Sequence, residues 1–242
     1  MSHLWGLYFL NTMLLYQKIR NYIQDLLAQG SMQPGSKLPS ERSLQEEFSS
    51  TRITVREALA RLEAEGVIYS QKRRGWFVTP QKLRWHPARK VNFNRLTKEQ
   101  GFEPKTEVIS IEAPSTAHQV AHERFEGEAI YKLSRVRKVD ERAILMEEIY
   151  CLAARFEGLE NQVLNGSITE VMSTEYNAEV SHEQCVISVT VLPDEASSRL
   201  EKNSGAPCLK VQRARYDAQK QLVDYNIEYW LHDAIEMVVE GI

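Results

Sequence analysis

Apolar residues recur at helical spacing over the stretch 14–28, where Leu15, Ile19 and Ile23 share one face and polar residues occupy the other. A stripe of this kind is typical of an amphipathic helix packed on a core. Gly30 marks its end, because glycine readily adopts the left-handed conformation that closes helices.

Two shorter helices are predicted to follow. Ser40 is a good N-cap for the first, and Leu44 and Phe48 lie at i and i+4 on its buried side. After a two-serine turn, Thr51 caps the second helix and Gly66 ends it. Apolar residues give this second helix a buried face, while its arginines stay on the polar side. The spacing predicts two helices that meet at a tight turn.

Two short strands are predicted next, at 67–70 and 76–78. The loop that joins them, Gln71–Gly75, is basic and is expected to carry its glycine at the tip, where backbone can approach closely. This order of elements suits a helix lying in a DNA major groove with a loop beside it in the minor groove.

The pattern changes after residue 80. The stretch 81–91 holds a proline and several basic or histidine residues and is predicted as a linker. Beyond it, strands joined by hairpin-length connections favour an α+β domain with a mainly antiparallel sheet and helices on one side. The strands are predicted at 129–139, 143–151, 184–192, 208–217 and 222–230, and the helices near 92–100, 116–125, 167–176 and 194–203.

Charge is divided unevenly between the two parts. Residues 1–90 carry 14 lysines and arginines against 7 aspartates and glutamates, whereas residues 91–242 carry 16 against 26. The net charge of −3 hides this asymmetry. A basic part joined to an acidic part indicates that only the first binds a polyanion, although chance clustering gives the same sums.

The three cysteines, Cys151, Cys185 and Cys208, lack metal-ligand spacing and are odd in number. This pattern favours free thiols in a reducing cytoplasm over a disulfide framework. No apolar run reaches the length of a membrane span, and the apolar start lacks the features of a secretory signal. We therefore expect a cytoplasmic protein with no membrane partner.

The second of the two short helices has the side chains that a recognition helix needs. Arg52 and Arg56 lie at i and i+4, so both can reach the same groove, where arginine pairs with guanine. Lys72, Arg73 and Arg74 would contact phosphates from the hairpin. The alternative is a solvated amphipathic helix and a solvated turn, which leaves the coincidence of the two features unexplained.

At these residues the sequence resembles the GntR family of bacterial transcription regulators, through LPSERSLQEEF at 38–48, TRITVREALARLEAEGVI at 51–68 and RRGWFV at 73–78. The resemblance implies a winged helix-turn-helix that binds a palindromic operator as a homodimer. Ser49 departs from the glycine common in the family's turn. The positions that match the family's DNA contacts are Arg42, Thr51, Arg52, Thr54, Arg56 and Gly75.

The acidic part needs a different role. Arg135 and Arg137 alternate along a predicted strand, so both face the same side of the sheet, and Glu147 lies on the neighbouring strand. If that face lines a cavity, the two guanidinium groups would hold a phosphate, phosphonate or carboxylate. An equally good alternative is a solvent-facing pair bridged to Glu147 and Glu148.

The segment 92–240 resembles the UTRA effector-binding domain of the HutC branch, through Asn92-Phe93-Asn94, Gly101–Pro104, LSRVR at 133–137, Met146-Glu147, Gly166–Ile168 and Asp224-Tyr225. It implies a chorismate-lyase-like fold with a ligand pocket. By matched position, the resemblance assigns the anion end of that pocket to Phe93, Asn94, Arg135, Arg137 and Ser167. It assigns the rest of the ligand to Glu147, Asp224 and Trp230.

The domain division is therefore an N-terminal extension at 1–13, a winged helix-turn-helix at 14–80, a linker at 81–91 and a UTRA-like domain at 92–242. We expect a ligand-responsive repressor whose partners are double-stranded operator DNA and a small anionic effector, with no cofactor or metal. The run 228–233 departs from the pattern common in sugar-phosphate sensors. A zwitterion such as an aminoalkyl phosphonate would fit, and a phosphorylated sugar or carboxylate catabolite stays open.

The other class of function is an enzyme of lyase type on the C-terminal fold. Its candidate residues are His118, His122, Glu123 and His182. The first two histidines lie at i and i+4, but the glutamate follows the second histidine, unlike the metalloprotease motif. A solvated helix face accounts for this spacing, and no nucleophile motif is present.

Overall fold

The computed structural model describes residues 2–87 and 92–239, with side chains from Leu14 onward. The chain divides into two compact units, Met1–Lys82 and Leu83–Ile242. No helix in the described ranges is long and apolar enough to cross a membrane.

The N-terminal unit contains three helices and a two-stranded hairpin. These are α1 (Ser2–Ala28), α2 (Glu41–Glu47), α3 (Arg52–Ala64), β1 (Ile68–Gln71) and β2 (Gly75–Val78). Helix α1 begins at Ser2, so the stretch predicted as an extension continues the first helix. The apolar faces of the helices meet in one core with Ile68 and Val78 of the hairpin. The order and spacing of these elements agree with the prediction.

Interactions between α1 and α3 hold the unit together at its surface as well. Tyr16 donates a hydrogen bond to Glu65, which also lies 3.2 Å from Arg20. Arg61 lies over the Tyr16 ring, 4.2 Å from its centroid. These contacts hold α1 against the face of α3 that lies away from Arg52 and Arg56.

The turn between α2 and α3 closes in a Schellman motif. The Ser50 N–H donates to the Gln45 carbonyl and the Ser49 N–H donates to the Glu46 carbonyl. Ser49 adopts φ +46°, a left-handed conformation that costs a residue with a Cβ about 1–2 kcal/mol. The serine that departs from the family pattern therefore occupies a position that suits glycine.

We expect Ser49→Gly to stabilise the N-terminal unit by about 0.5–1 kcal/mol, because relief of the left-handed strain exceeds glycine's added freedom in the unfolded chain. Thermal unfolding of the full chain, followed by circular dichroism, measures the change. Ser50→Gly is the matched control, since Ser50 is not among the residues with positive φ and glycine there only loosens the unfolded chain. Equal destabilisation by both substitutions would contradict this account of the turn.

The C-terminal unit contains eight strands in the residues that the structure describes: β3 (Leu83–Trp85), β4 (Pro104–Ser115), β5 (Ile130–Val139), β6 (Arg142–Leu152), β7 (His182–Val191), β8 (Pro207–Tyr216), β9 (Leu222–Leu231) and β10 (Ile235–Met237). Six of them form an antiparallel sheet in the order β4-β5-β6-β9-β8-β7. A separate pair, β3 and β10, is parallel. The helices are α4 (Phe93–Glu99), α5 (Gln119–Arg124), α6 (Ile168–Tyr176) and α7 (Asp194–Arg199), with a 3-10 turn at Leu159–Asn161.

Helices cover both faces of the sheet. Ile168 and Met172 of α6 pack with Leu133 and Ile149, which point to one face. Ala121 of α5 instead packs with residues such as Ile130 and Tyr150, which point to the other. The prediction of helices on one side only is therefore incomplete, because the apolar residues of β5 and β6 alternate and both faces are apolar enough to need cover.

The predicted strand pair and the last three strands are observed within two residues of the expected bounds, and the mixed α+β class is confirmed. Part of the stretch predicted as a linker is a strand, since β3 pairs with β10, while residues 88–91 lie outside the described ranges. Strand β4 was not predicted. It lies at the sheet edge, where its half-exposed residues give no clear apolar alternation.

A buried ion cluster joins three connections of this unit. Asp233 is fully buried after β9 and accepts from Arg142 at 2.8 Å and from Lys202 at 3.0 Å. Arg142 begins β6 and Lys202 follows α7. Although burial alone would raise it, the charges of Arg142 and Lys202 hold the pKa of Asp233 below its ordinary value.

Candidate functional site

The N-terminus of α3 projects two exposed arginines. Thr51 caps the helix, and its side chain accepts a hydrogen bond from the Thr54 N–H. Arg52 and Arg56 follow with side chains 71% and 63% exposed. Both long side chains are therefore available to a partner that approaches this end of the helix.

Glu41, the first residue of α2, organises this surface. Its carboxylate lies 3.3 Å from Arg52 Nε and 3.7 Å from Arg56 Nε. It also accepts a hydrogen bond of 3.4 Å from the indole of Trp76 in β2. One carboxylate thus links the two exposed arginines to the hairpin, a contact that sequence reasoning missed because it joins three separate elements.

Two other predicted contact residues, Thr54 and Arg42, have environments that differ from those of Arg52 and Arg56. Thr54 is buried, and its hydroxyl hydrogen-bonds that of Thr51 at 2.8 Å. Its predicted contact with DNA stays a prediction, and in the absence of DNA its hydroxyl is held by Thr51 at the start of α3. Arg42 is exposed on α2 and pairs with Glu46 at 3.0 Å.

The hairpin places its basic residues at its end. Gln71 pairs with Gly75, so Lys72, Arg73 and Arg74 form the loop. Arg73 lies at the tip with φ +65°, which corrects the prediction that the glycine occupies the tip. Gly75 instead begins β2 with φ +102°, a conformation that residues with a Cβ rarely adopt.

Arg52, the start of α2 and the hairpin border one shallow groove. It is lined by Lys37, Leu38, Pro39, Ser40, Glu41, Arg42, Gln45, Arg52, Arg73, Arg74, Gly75 and Trp76. Six of these positions carry charge and five of those are basic. A surface with this excess of long cationic side chains is suited to phosphates.

The C-terminal unit holds a cavity of about 450 Å³ between the sheet and the first turns of α4 and α6. Its size is that of a small-molecule site. The residues that line it are Trp85, Asn92, Phe93, Arg95, Leu96, Arg135, Arg137, Leu145, Glu147, Ile149, Ser167, Ile168, Thr169, Glu170, Ser173, Glu183, Arg213, Arg215, Asn226, Glu228 and Trp230.

One wall of the cavity is an arginine pair that shares a carboxylate. Arg135 and Arg137 donate to Glu147 from their Nε atoms at 2.7 and 2.8 Å. The two charges lower the pKa of Glu147 to about 2, although burial alone would raise it. The pair is buried, which contradicts the alternative of solvent-facing arginines.

The two arginines have different environments beyond this carboxylate. Arg135 is fully buried and donates to the carbonyls of Leu164 and Gly166 at 2.8 and 2.9 Å, so it holds the loop before α6. Burial lowers the pKa of Arg135 to about 10, so it stays charged at neutral pH. Arg137 makes no recorded contact through its terminal nitrogens within the described residues, and it is the member of the pair that can reach a ligand.

The opposite wall repeats this arrangement on β8 and β9. Arg213 donates to Glu228 at 3.0 Å and also bonds Glu183. Arg215 donates to Asp224 at 2.8 Å and also bonds Thr169 in the first turn of α6. Burial lowers the pKa of each guanidinium, but the neighbouring carboxylates more than offset this and raise it above its ordinary value.

Aromatic side chains form the third side of the cavity. Trp85 stacks on Trp230 at 5.6 Å between ring centroids, and Phe93 lies 6.4 Å from Trp230. Arg213 lies over Trp85 at 5.2 Å and Arg137 over Phe93 at 4.8 Å. The arginines of both walls therefore meet one continuous aromatic surface.

Six of the eight predicted effector residues line the cavity, namely Phe93, Arg135, Arg137, Glu147, Ser167 and Trp230. Asn94 does not, because Asn92 is the N-cap of α4 and turns into the cavity instead. Asp224 lies beneath the floor, fully buried, where it holds Arg215 and Asn226.

The second arginine wall was missed, although a signal for it exists. Arg213-Ala214-Arg215 has the same alternation as Arg135-Val136-Arg137 and lies within a predicted strand. The proximity of the two motifs follows from the strand order, in which β6 and β9 lie between β5 and β8. Strand order is not a property that a single sequence reveals.

Three of the candidate enzyme residues, His118, His122 and Glu123, belong to α5 or its N-cap, and His182 lies apart from them. His118 precedes α5 and lies 3.3 Å from Glu112 on β4, whereas His182 lies on β7 at the other edge of the sheet. His182 packs against Tyr216. Within the described ranges, no cluster of histidine, cysteine and acidic residues has the arrangement of a metal site.

Family models match both units. Residues 15–78 match the model of bacterial regulatory proteins of the gntR family, and residues 99–236 match the UTRA domain model. The second match alone spans more than half of the chain.

Curated relatives are transcription regulators. An uncharacterized HTH-type transcriptional regulator of Escherichia coli, YihL, is 28% identical over 92% of this chain and 94% of its own length. The HTH-type transcriptional repressor NagR of Bacillus subtilis is 26% identical over 84% of each chain. A probable fructoselysine utilization operon transcriptional repressor of E. coli is 25% identical over 94% of this chain and 95% of its own.

Among solved structures, PhnF from Mycobacterium smegmatis matches with a TM-score of 0.62 and 20% identity. The match covers 92% of this chain and 99% of that one. At this identity it supports the fold, a helix-turn-helix unit followed by a mixed unit with an antiparallel sheet.

Proposed function

Because the chain belongs to the GntR family of bacterial regulatory proteins and carries a UTRA domain, we propose that it is a transcription repressor that binds a palindromic operator as a homodimer. A small effector with an anionic group would bind in the cavity and control operator affinity. The chain is a regulator and not an enzyme, as its relatives are. The observation that carries the proposal is the coexistence of a basic groove on one unit and, in the other, a cavity of small-molecule size lined by arginines and aromatic residues.

The proposed DNA contacts divide by chemistry. Arg52 and Arg56 would read base edges in the major groove, because they are long, exposed and close to the N-terminus of α3. The hairpin loop 72–74 and Gly75 would contact phosphates or the minor groove beside it. Arg42 and the backbone N–H groups that follow Thr51 would fix the protein on the phosphate backbone.

The proposed effector site uses the donors that face the cavity. Arg137, with its terminal nitrogens available, and the first turn of α6 around Ser167 would hold the anionic group. Phe93 and Trp230 would pack on the apolar part of the ligand. Arg135 would act indirectly, since its contacts to Leu164 and Gly166 fix the loop that presents α6.

The proposal is tested in two steps. A selection from random duplexes yields an operator, and a thermal-shift panel of phosphonates, sugar phosphates and amino-acid catabolites yields ligands. We expect a palindromic sequence and at least one stabilising anion-bearing compound that alters the gel shift of the operator. The proposal would be contradicted if the selection enriched no duplex sequence. It would also be contradicted if none of the compounds that carry an anionic group stabilised the protein.

Tryptophan emission should report the cavity directly. Two of the four tryptophans, Trp85 and Trp230, are stacked in its wall, whereas Trp76 lies in the N-terminal unit. We expect a stabilising ligand to shift or quench the emission of wild type and of Trp76→Phe equally. In Trp85→Phe the emission change should fall to half or less, with calorimetry as the check that the ligand still binds. An unchanged response in Trp85→Phe would place the ligand elsewhere.

A further inference from the structure

The charges around the cavity cancel. Four arginines face it or its floor, and four carboxylates are bonded to them: Arg135 and Arg137 with Glu147, Arg213 with Glu228 and Glu183, and Arg215 with Asp224. The fifth arginine of the lining, Arg95, is 67% exposed and lies 3.7 Å from Glu99. The buried set therefore offers no surplus of positive charge to a ligand.

Two of the carboxylates form the middle of the floor. Glu147 of β6 and Glu228 of β9 are direct cross-strand partners, so their Cβ atoms lie about 5 Å apart on the same face. Like charges in this register repel, and here each is held on its outer side by arginine. Between Glu147 and Glu228, the described residues offer the cavity hydrogen-bond acceptors and no cationic group.

An unused acceptor lies beside this pair. Asn226 lies two residues before Glu228 in β9, on the same face of the sheet, and it is buried and lines the cavity. Its amide nitrogen donates to Asp224 at 2.6 Å, but its Oδ1 has no hydrogen-bond partner among the described residues. A buried amide oxygen without a partner costs about 1–3 kcal/mol, so a donor from a ligand would be stabilised there.

Resting on the proposed function, we infer that the effector is a small zwitterion: its ammonium group lies between Glu147, Glu228 and Asn226 Oδ1, and its single anionic group lies at Arg137 and the first turn of α6. A multiply charged anion is disfavoured, because its burial in a balanced site leaves its charge uncompensated. The aromatic surface of Trp85, Trp230 and Phe93 excludes water from the carbon skeleton between the two ends.

The charge balance is tested by removing one negative charge without changing the shape of the site. Glu228→Gln should bind inorganic sulfate at least tenfold more tightly than wild type, which should show no saturable binding up to about 10 mM, a range set by the weak affinity expected for an uncompensated ion. Glu148→Gln is the matched control, because Glu148 lies on β6 but faces the other side of the sheet and pairs with Lys132 at 2.8 Å. Equal sulfate affinity in wild type and Glu228→Gln would overturn the inference.

The ammonium subsite is tested with matched compounds. A series of alkyl phosphonates and carboxylates of two to five carbons is measured by tryptophan emission and calorimetry, each with and without a terminal amino group. Wild type should prefer the amino-bearing member of the best pair at least tenfold, and Glu228→Gln should lose that preference. Binding of amine-free members only, or of no amino-bearing member, would overturn the inference. These measurements contain no DNA, so they stand apart from any failure of operator control.

Discussion

Replacing both Arg52 and Arg56 with alanine should abolish specific operator binding while leaving the fold intact. Each side chain is more than 60% exposed and, among the residues that the structure describes, forms an ion pair with Glu41. A bidentate contact between arginine and a base is worth about 1–3 kcal/mol, and a dimer makes each contact twice. The double variant should therefore lose at least a thousandfold in affinity for the selected operator.

Fluorescence anisotropy with a labelled operator measures this loss, and a scrambled duplex of the same length gives the non-specific level. Arg199→Ala, an exposed arginine of α7, is the matched control and should bind as wild type does. Retention of specific binding by the double variant would show that α3 does not read the operator. Glu41→Gln should lose less, since it loosens the two arginines without removing them.

Replacing Asp233 with alanine should destabilise the C-terminal unit by about 3–5 kcal/mol. The substitution removes a fully buried carboxylate that neutralises Arg142 and Lys202, whose side chains are 9% and 6% exposed. Removing the shared carboxylate takes the buried counter-ion from two desolvated cations, which costs more than the ion pairs contribute. Few single substitutions in this chain have a larger expected effect on stability.

Urea unfolding of wild type and variant measures this difference, and its pH dependence identifies the cause. The folded pKa of Asp233 lies below its ordinary 3.8, so its contribution is present above that pH and is lost as pH falls further. The difference between wild type and Asp233→Ala should therefore shrink in acid. Glu99→Ala breaks an exposed ion pair with Arg95 and should change stability by no more than about 0.5 kcal/mol. An Asp233→Ala effect as small as this would contradict the account.

What the sequence predicts well is local. Ser40 and Thr51 are N-caps as expected, because a cap depends on a side chain and the backbone three residues later. The alternation in 130–139 predicts both the strand and the shared face of Arg135 and Arg137. These features need no knowledge of the rest of the chain.

What the sequence could not predict depends on distant pairing. Strand β10 is three residues long and exists because β3 lies beside it, more than 140 residues earlier in the chain. The balanced floor of the cavity depends on the register that sets Glu147 opposite Glu228. Thr54 and Asn94 show the same limit, since a family position identifies the residue but the packing of a helix decides where its side chain lies: Thr54 is buried and Asn94 does not line the cavity.

The central claim is that a ligand in the cavity controls binding at the arginines of α3. The direct measurement is the operator dissociation constant with and without a cavity ligand, in wild type, Arg137→Ala and Arg124→Ala. The last is a matched control, because both arginines lie over an aromatic ring, at 4.8 Å for Arg137 over Phe93 and 4.7 Å for Arg124 over Tyr225. We predict at least a tenfold change in operator affinity for wild type and Arg124→Ala and none for Arg137→Ala at the same ligand concentration. An equal response in all three proteins would contradict control through this cavity.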